Sequence, residues 1–192
     1  MTLIGENMEP DKTMDLFCDL LQSSHRNCAI IGSAYVERCL QYALVKRLGI
    51  SEEDETYKEF FSPQGAGKDF LAKAKIGYLL YLYGDSALKD LKAIAKIRNE
   101  AAHTWDEFSF ESDRPAALAR NFSLIDRYVR KPTDELKPTA ANTTIKDFPF
   151  WFYDENVERM KSHPRGRFIL TVRAFSYGLW SVKPEPSRQT YF

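Results

Sequence analysis

Apolar positions along this chain recur at helical spacing. Residues 11–22 (DKTMDLFCDLLQ) place Met14, Leu16, Phe17, Leu20 and Leu21 on one side, with Asp11 positioned to cap. Ser23 and Ser24 then break the pattern. Residues 25–48 are apolar nearly all round from Cys28 to Val45, which predicts a buried central helix, and Gly49 is a good residue for the left-handed turn after it. Residues 51–61 open on Ser51 and a run of acids, a favourable helix start. After the loop SPQGAG (62–67), helical spacing resumes over 68–83 and again over the Ala-, Leu- and Lys-rich 86–103. An irregular TWDEFSFESDRP leads to a fifth helix over 115–129, with Pro115 in its first turn.

The texture changes beyond residue 130. Residues 131–149 carry three prolines with four threonines and one asparagine and read as a linker or loose loop. Two further amphipathic segments follow, FWFYDENVERMK and PRGRFILTVRAFSYGLWSV, and the FILTV run leaves a strand open as an alternative for the second. The expectation is an all-α protein. Residues 1–130 would form a bundle of about five core helices, and residues 131–192 a linker with a basic and aromatic C-terminal extension. The Tyr/Leu-rich and Ala-rich helices carry more apolar surface than one layer needs, which predicts a homodimer.

Composition narrows the class. With 44% hydrophobic and 28% charged residues over 192 positions, the chain can bury a core and is not globally disordered. Lys, Arg or Glu interrupts each apolar run well short of a membrane span. The N-terminal MTLIGENMEPDK has neither a basic region nor an apolar one, so no secretory signal is visible and the expected compartment is the cytoplasm. Three cysteines, Cys18, Cys28 and Cys39, do not make a disulfide framework. Cys28 and Cys39 share a helix face but stand roughly 16 Å apart along it, too far to bridge; they read as core residues. Net charge is zero, which argues against a uniformly basic nucleic-acid binder. The balance is uneven: residues 1–113 are net −6 and residues 114–192 net +6.

Candidate chemistry concentrates in LKAIAKIRNEAAH. Leu88, Leu91, Ile94, Ala95, Ala101 and Ala102 form an apolar stripe, and Arg98 falls near its centre. A guanidinium on a packing face needs a carboxylate, carbonyls or a phosphate. Glu37, the one acid within the apolar stretch of the central helix, is the candidate partner. The other reading makes Arg98 a phosphate ligand, His103 a proton-transfer group titrating near neutrality, and Asn99 their positioning residue, as RNA cleavage by 2′-hydroxyl attack requires.

In the C-terminal segment, Arg159, Lys161, Arg165, Arg167 and Arg173 alternate with Phe168, Phe175, Tyr177 and Trp180. This pattern suits RNA or single strands, or a solvated face covering the core. GAGK (65–68) lacks the length and the Ser/Thr of a phosphate loop. His25 and His163 have no metal-ligand spacing, and no cofactor is expected.

Two resemblances arise at these residues. Arg98-x4-His103, with Asn99 after the arginine, resembles the R-x4-6-H motif of HEPN-domain ribonucleases. Those are all-α bundles that set two such motifs face to face across a dimer. Over residues 26–128, the succession AYVERCLQYAL, FFSPQGAGKDF, AKIGYLLYLYG, LKAIAKIRNEAAH and a closing FSF (108–110) resembles the mannitol operon repressor (MltR) family. That resemblance implies an all-α cytoplasmic regulator without a visible helix-turn-helix, acting in transcription or on a protein partner, with nucleic acid as a further possible partner. The first resemblance implies instead a metal-independent endoribonuclease, a toxin or defence effector, in which Glu37 supports Arg98.

Overall fold

The computed structural model describes residues 10–128 and 155–183. Nine α-helices and no strand occur among them: α1 (Pro10–Gln22), α2 (His25–Leu48), α3 (Glu55–Phe60), α4 (Phe70–Leu79), α5 (Asp85–His103), α6 (Asp113–Arg120), α7 (Leu124–Tyr128), α8 (Glu155–Ser162) and α9 (Pro164–Trp180). The protein is all-α, as the periodicity predicts.

α2 begins where Ser24 Oγ accepts the Asn27 N–H at 3.2 Å. It ends at Gly49, whose φ of 62° lets its N–H reach the Val45 carbonyl. Cys28, Val36, Cys39, Leu40 and Leu44 are buried along it, which makes it the central helix. The second central helix is α9. Phe168, Ile169, Leu170, Val172, Phe175 and Leu179 bury into the same core as α2, so the β-prone FILTV run is helical. A segment apolar on nearly every side and enclosed on every side gains most as a helix, and burial overrides strand propensity. α1, α4 and α5 pack against α2, while α6, α7 and α8 pack against α9. Part of the segment expected as an extension thus supplies core residues. The boundary at residue 130, the linker 131–149 and the tail beyond 183 lie outside the described residues.

Gly32 marks where the two central helices come closest. A Cβ placed there would lie 2.8 Å from Phe168 Cε1 and 3.2 Å from Val172 Cγ2.

Three boundaries differ from the sequence expectation. The acidic helix starts at Glu55 rather than 51, because Asp54 takes the capping position and accepts the Ser51 N–H. The Tyr/Leu helix ends at Leu79. Tyr81 turns left-handed (φ 57°), and Tyr83 folds back to donate its hydroxyl to the Ala74 carbonyl at 2.7 Å. The single helix expected over 115–129 is two, broken at 121–123 by Asp90. This carboxylate is 1% exposed and accepts the N–H groups of Ser123 (2.9 Å) and Leu124 (2.8 Å), capping α7 from a distant helix. Burial raises the Asp90 carboxyl above its ordinary range, and the two N–H groups and the Ser123 hydroxyl oppose that rise.

Candidate functional site

The buried face of α5 runs through Ala87, Asp90, Leu91, Ile94, Ala95, Ile97 and Ala101. This corrects the stripe read from the sequence. Its axis includes Asp90 and Ile97, which shifts Arg98 from the centre to the flank and leaves Ala102 exposed. The Arg98 side chain is 39% exposed, and its Nη1 meets Glu37 Oε2 at 3.4 Å.

Glu37 is therefore the partner of Arg98, but its shorter bond is to another residue. Lys73, from α4, donates to Glu37 Oε1 at 2.8 Å with a side chain only 7% exposed. Lys73 was not foreseen as a functional residue. The signal for it lay in Phe70, Ala74 and Gly77, which with position 73 form the i, i+3, i+4, i+7 buried face of α4. One carboxylate thus answers two cations from two neighbouring helices.

Asn99 and His103 are exposed. Five residues of α-helix place His103 about 140° around the axis from Arg98. Arg98 reaches back to α2, and His103 stands in the last turn, followed by the Thr104 cap. That last turn is clamped from α2. Arg26 donates to the carbonyls of Ala101 and Asp106. His25 Nδ1 accepts the Phe110 N–H at 3.0 Å and lies 3.1 Å from Ser109 Oγ. A nitrogen that accepts a backbone N–H carries no proton, so the His25 proton sits on Nε2. Burial lowers the His25 pKa and nearby Arg165 lowers it further, opposed by Glu111 and Glu107.

The C-terminal cations look largely inward. Arg165 Nη2 donates to Leu20 O (2.8 Å), Leu21 O (3.1 Å) and Ser23 O, the carbonyls that end α1. Arg167 donates to Ala119 O (3.1 Å) and Phe122 O (2.6 Å) at the end of α6, and grips the Asp126 carboxylate at 2.9 and 3.2 Å. Arg173 lies over the Phe17 ring, 5.3 Å from its centroid. Lys161 sits 3.9 Å from Glu158 and 4.0 Å from Asp126. Arg159 is exposed on α8. Of the interleaved aromatics, Phe168 and Phe175 are core residues, and Trp180 donates its indole N–H to Cys39 Sγ at 3.2 Å. Burial pushes the Cys28 thiol up to about 11 and the Cys39 thiol up to about 12, so both stay protonated core groups.

The outer surface presents a different feature. Tyr81 is 90% exposed and Leu79 69%, both on the turn that ends α4, and Trp105 is fully exposed on the loop after α5. No group of His, Cys, Asp and Glu among the described residues is arranged to hold a metal ion, and no described helix is long and apolar enough to cross a membrane.

These features define an all-α bundle with two central helices, a shared-carboxylate cluster on one side and an outward apolar turn. No described protein family and no curated protein matches the chain by sequence. The fold is similar to a solved one, the X-ray structure of the MtlR–HPr complex from Escherichia coli, with a TM-score of 0.57 at 13% identity. The likeness covers 86% of this chain and 96% of that one. It is a likeness of fold, and it extends well past the residues 26–128 that carry the sequence resemblance.

Proposed function

We propose that this chain is a cytoplasmic, MltR-like regulatory protein that acts by docking a protein partner, with control of transcription as the outcome. The observation that carries the reading is the turn ending α4. Leu79 and Tyr81 stand 69% and 90% exposed, and Tyr81 holds a left-handed backbone that a bulky residue rarely adopts. Large exposed apolar side chains on a fixed turn cost solvation and local strain, and aromatic anchors of this kind concentrate binding energy in interfaces. The fold likeness supports the reading, since the similar chain was solved in complex with HPr. Homodimerisation through the remaining apolar surface belongs to the same proposal.

HPr is the first partner to test, followed by affinity capture with mass-spectrometric identification and transcript profiling of a deletion strain. Binding of an identified partner should fall at least tenfold in Leu79→Ser and Tyr81→Ser, with far-UV circular dichroism unchanged. Undiminished binding in both variants, or no partner and no altered transcripts, overturns the proposal. Light scattering at micromolar concentration tests the dimer.

A further inference from the structure

An open pocket of about 230 Å³ lies between α2 and α4, lined by Ala34, Glu37, Arg38, Gln41 and Lys73. Positions 34, 37, 38 and 41 follow one face of α2, and Lys73 closes the far side. Gln41 is held in place by its side-chain N–H, which donates to the Tyr57 hydroxyl oxygen at 2.7 Å. The charges there do not cancel. Glu37 is the single carboxylate of the lining, and it already faces Lys73 at 2.8 Å and Arg98 at 3.4 Å. Arg38 is the second cation of the lining and makes no hydrogen bond or ion pair among the described residues. The lining therefore carries two cations against one carboxylate, and that carboxylate is further neutralised by Arg98 from α5.

The Lys73 ammonium sharpens the imbalance. An ammonium has three donors, and a buried one is costly unless they are used. Lys73 uses one, to Glu37, although its side chain is 7% exposed. A concave site with unused N–H donors, a free guanidinium and a net positive lining is complementary to a phosphate anion. We infer that this pocket binds a small phosphate-bearing ligand, either inorganic phosphate or a phosphate monoester, with Arg38 and Lys73 on the phosphoryl oxygens. Its volume, far above the roughly 10–15 Å³ of the same measure that one water needs, leaves room for a small organic group beside the phosphate. Arg98 is a positioning residue in this site: it shares Glu37 and so leaves more of the Lys73 charge to the ligand. The inference is independent of the protein partner and of Leu79 and Tyr81.

The test is a two-dimensional NMR titration of the full chain with sodium phosphate, with sodium chloride at matched ionic strength as the control and glycerol 3-phosphate against glycerol as the second arm. Saturable shifts confined to residues 34–41 and 70–76 are expected with phosphate and absent with chloride. Tighter binding of glycerol 3-phosphate than of phosphate identifies the ligand as a monoester, and equal binding identifies it as the free ion. Arg38 is exposed and unpartnered, so Arg38→Ala should fold normally and weaken binding about tenfold; Arg38→Glu should abolish it. Arg120→Ala, which removes one exposed positive charge from α6, should leave affinity unchanged. Non-saturating shifts scattered over the surface, or equal loss in Arg38→Ala and Arg120→Ala, overturn the inference.

Discussion

His25 offers the clearest test of how this bundle is fastened. Its Nδ1 accepts the N–H of Phe110, a residue with no exposed surface, and its ring packs 5.8 Å from the Phe110 ring. His25→Ala leaves that buried N–H without a partner, at about 1–3 kcal/mol. Loss of the ring contact adds about 0.5–1.5 kcal/mol. A total of about 1.5–4.5 kcal/mol is expected in urea unfolding at pH 7.5. His25→Asn is the informative companion, because the asparagine Oδ1 can accept the same N–H and cannot take up a proton. It should lose only the ring contribution.

The two proteins should also diverge with pH. The folded-state pKa of His25 lies below the ordinary 6.5, mainly through burial and then through Arg165. The unfolded chain therefore takes up this proton first as pH falls. Stability from His25 is fully present above about pH 7.5 and declines as pH drops through 6.5, by at most about 1.4 kcal/mol per pH unit. Urea midpoints followed by circular dichroism from pH 7.5 to 5.5 give the slope, and subtracting the His25→Asn slope removes the other titrating groups. Identical slopes in wild type and His25→Asn, or a His25→Ala variant within about 0.5 kcal/mol of wild type, refute this account of the loop anchor.

Removing Arg98 should cost under about 1 kcal/mol, because its pair is long and partly solvated and Glu37 keeps Lys73; Glu37→Ala should cost about 3–5 kcal/mol by leaving a buried ammonium unpaired. Equal costs in urea unfolding contradict the hierarchy. Gly32→Ala should destabilise by about 1–3 kcal/mol, since its Cβ meets Phe168 and Val172, and calorimetry that finds the variant at or above wild-type stability rejects the close approach. Asp90→Ala should cost about 1–3 kcal/mol and speed amide exchange at Ser123 and Leu124 ahead of the rest of the core, whereas uniform exchange would show that Asp90 does not cap α7.

The sequence made the fold class legible because five segments alternate apolar and polar residues at helical spacing. It also pointed to the central role of α2, since a segment apolar on every side has to be enclosed. The equivalent signal in α9 was weakened by Arg165, Arg167 and Arg173, which read as solvent-facing charges. Their carbonyl, carboxylate and ring partners lie 41 to 156 positions away, at a distance no local pattern reports. Glu37 and Arg98 were legible as a pair, because each interrupts an apolar face. Lys73 was signalled only indirectly, by its place on the buried face of α4 with Phe70, Ala74 and Gly77. The split of the fifth helix was invisible for the same reason as α9: its cause, Asp90, belongs to another helix. Tyr81 could not be read at all, because aromatic residues carry no sequence signal for a left-handed backbone.

The arginines suggest why a chain with no net charge should be basic towards its C-terminus. A helical bundle leaves carbonyls unpaired at each helix end, and those ends carry partial negative charge. Arg165 closes the end of α1 and Arg167 the end of α6, both reaching from α9, while Arg26 closes the end of α5 from α2. The two central helices thus fasten the peripheral ones by their termini as well as by their apolar faces. Each such arginine is fixed by several acceptors and has little freedom left for a ligand. Binding must then fall to groups outside this fastening system. Arg38 and Lys73 at the α2/α4 pocket, and Leu79 and Tyr81 at the end of α4, are such groups, and α4 contributes to both sets. The two sets can be tested separately, since Arg38→Ala leaves the Tyr81 turn intact and Tyr81→Ser leaves the pocket lining intact.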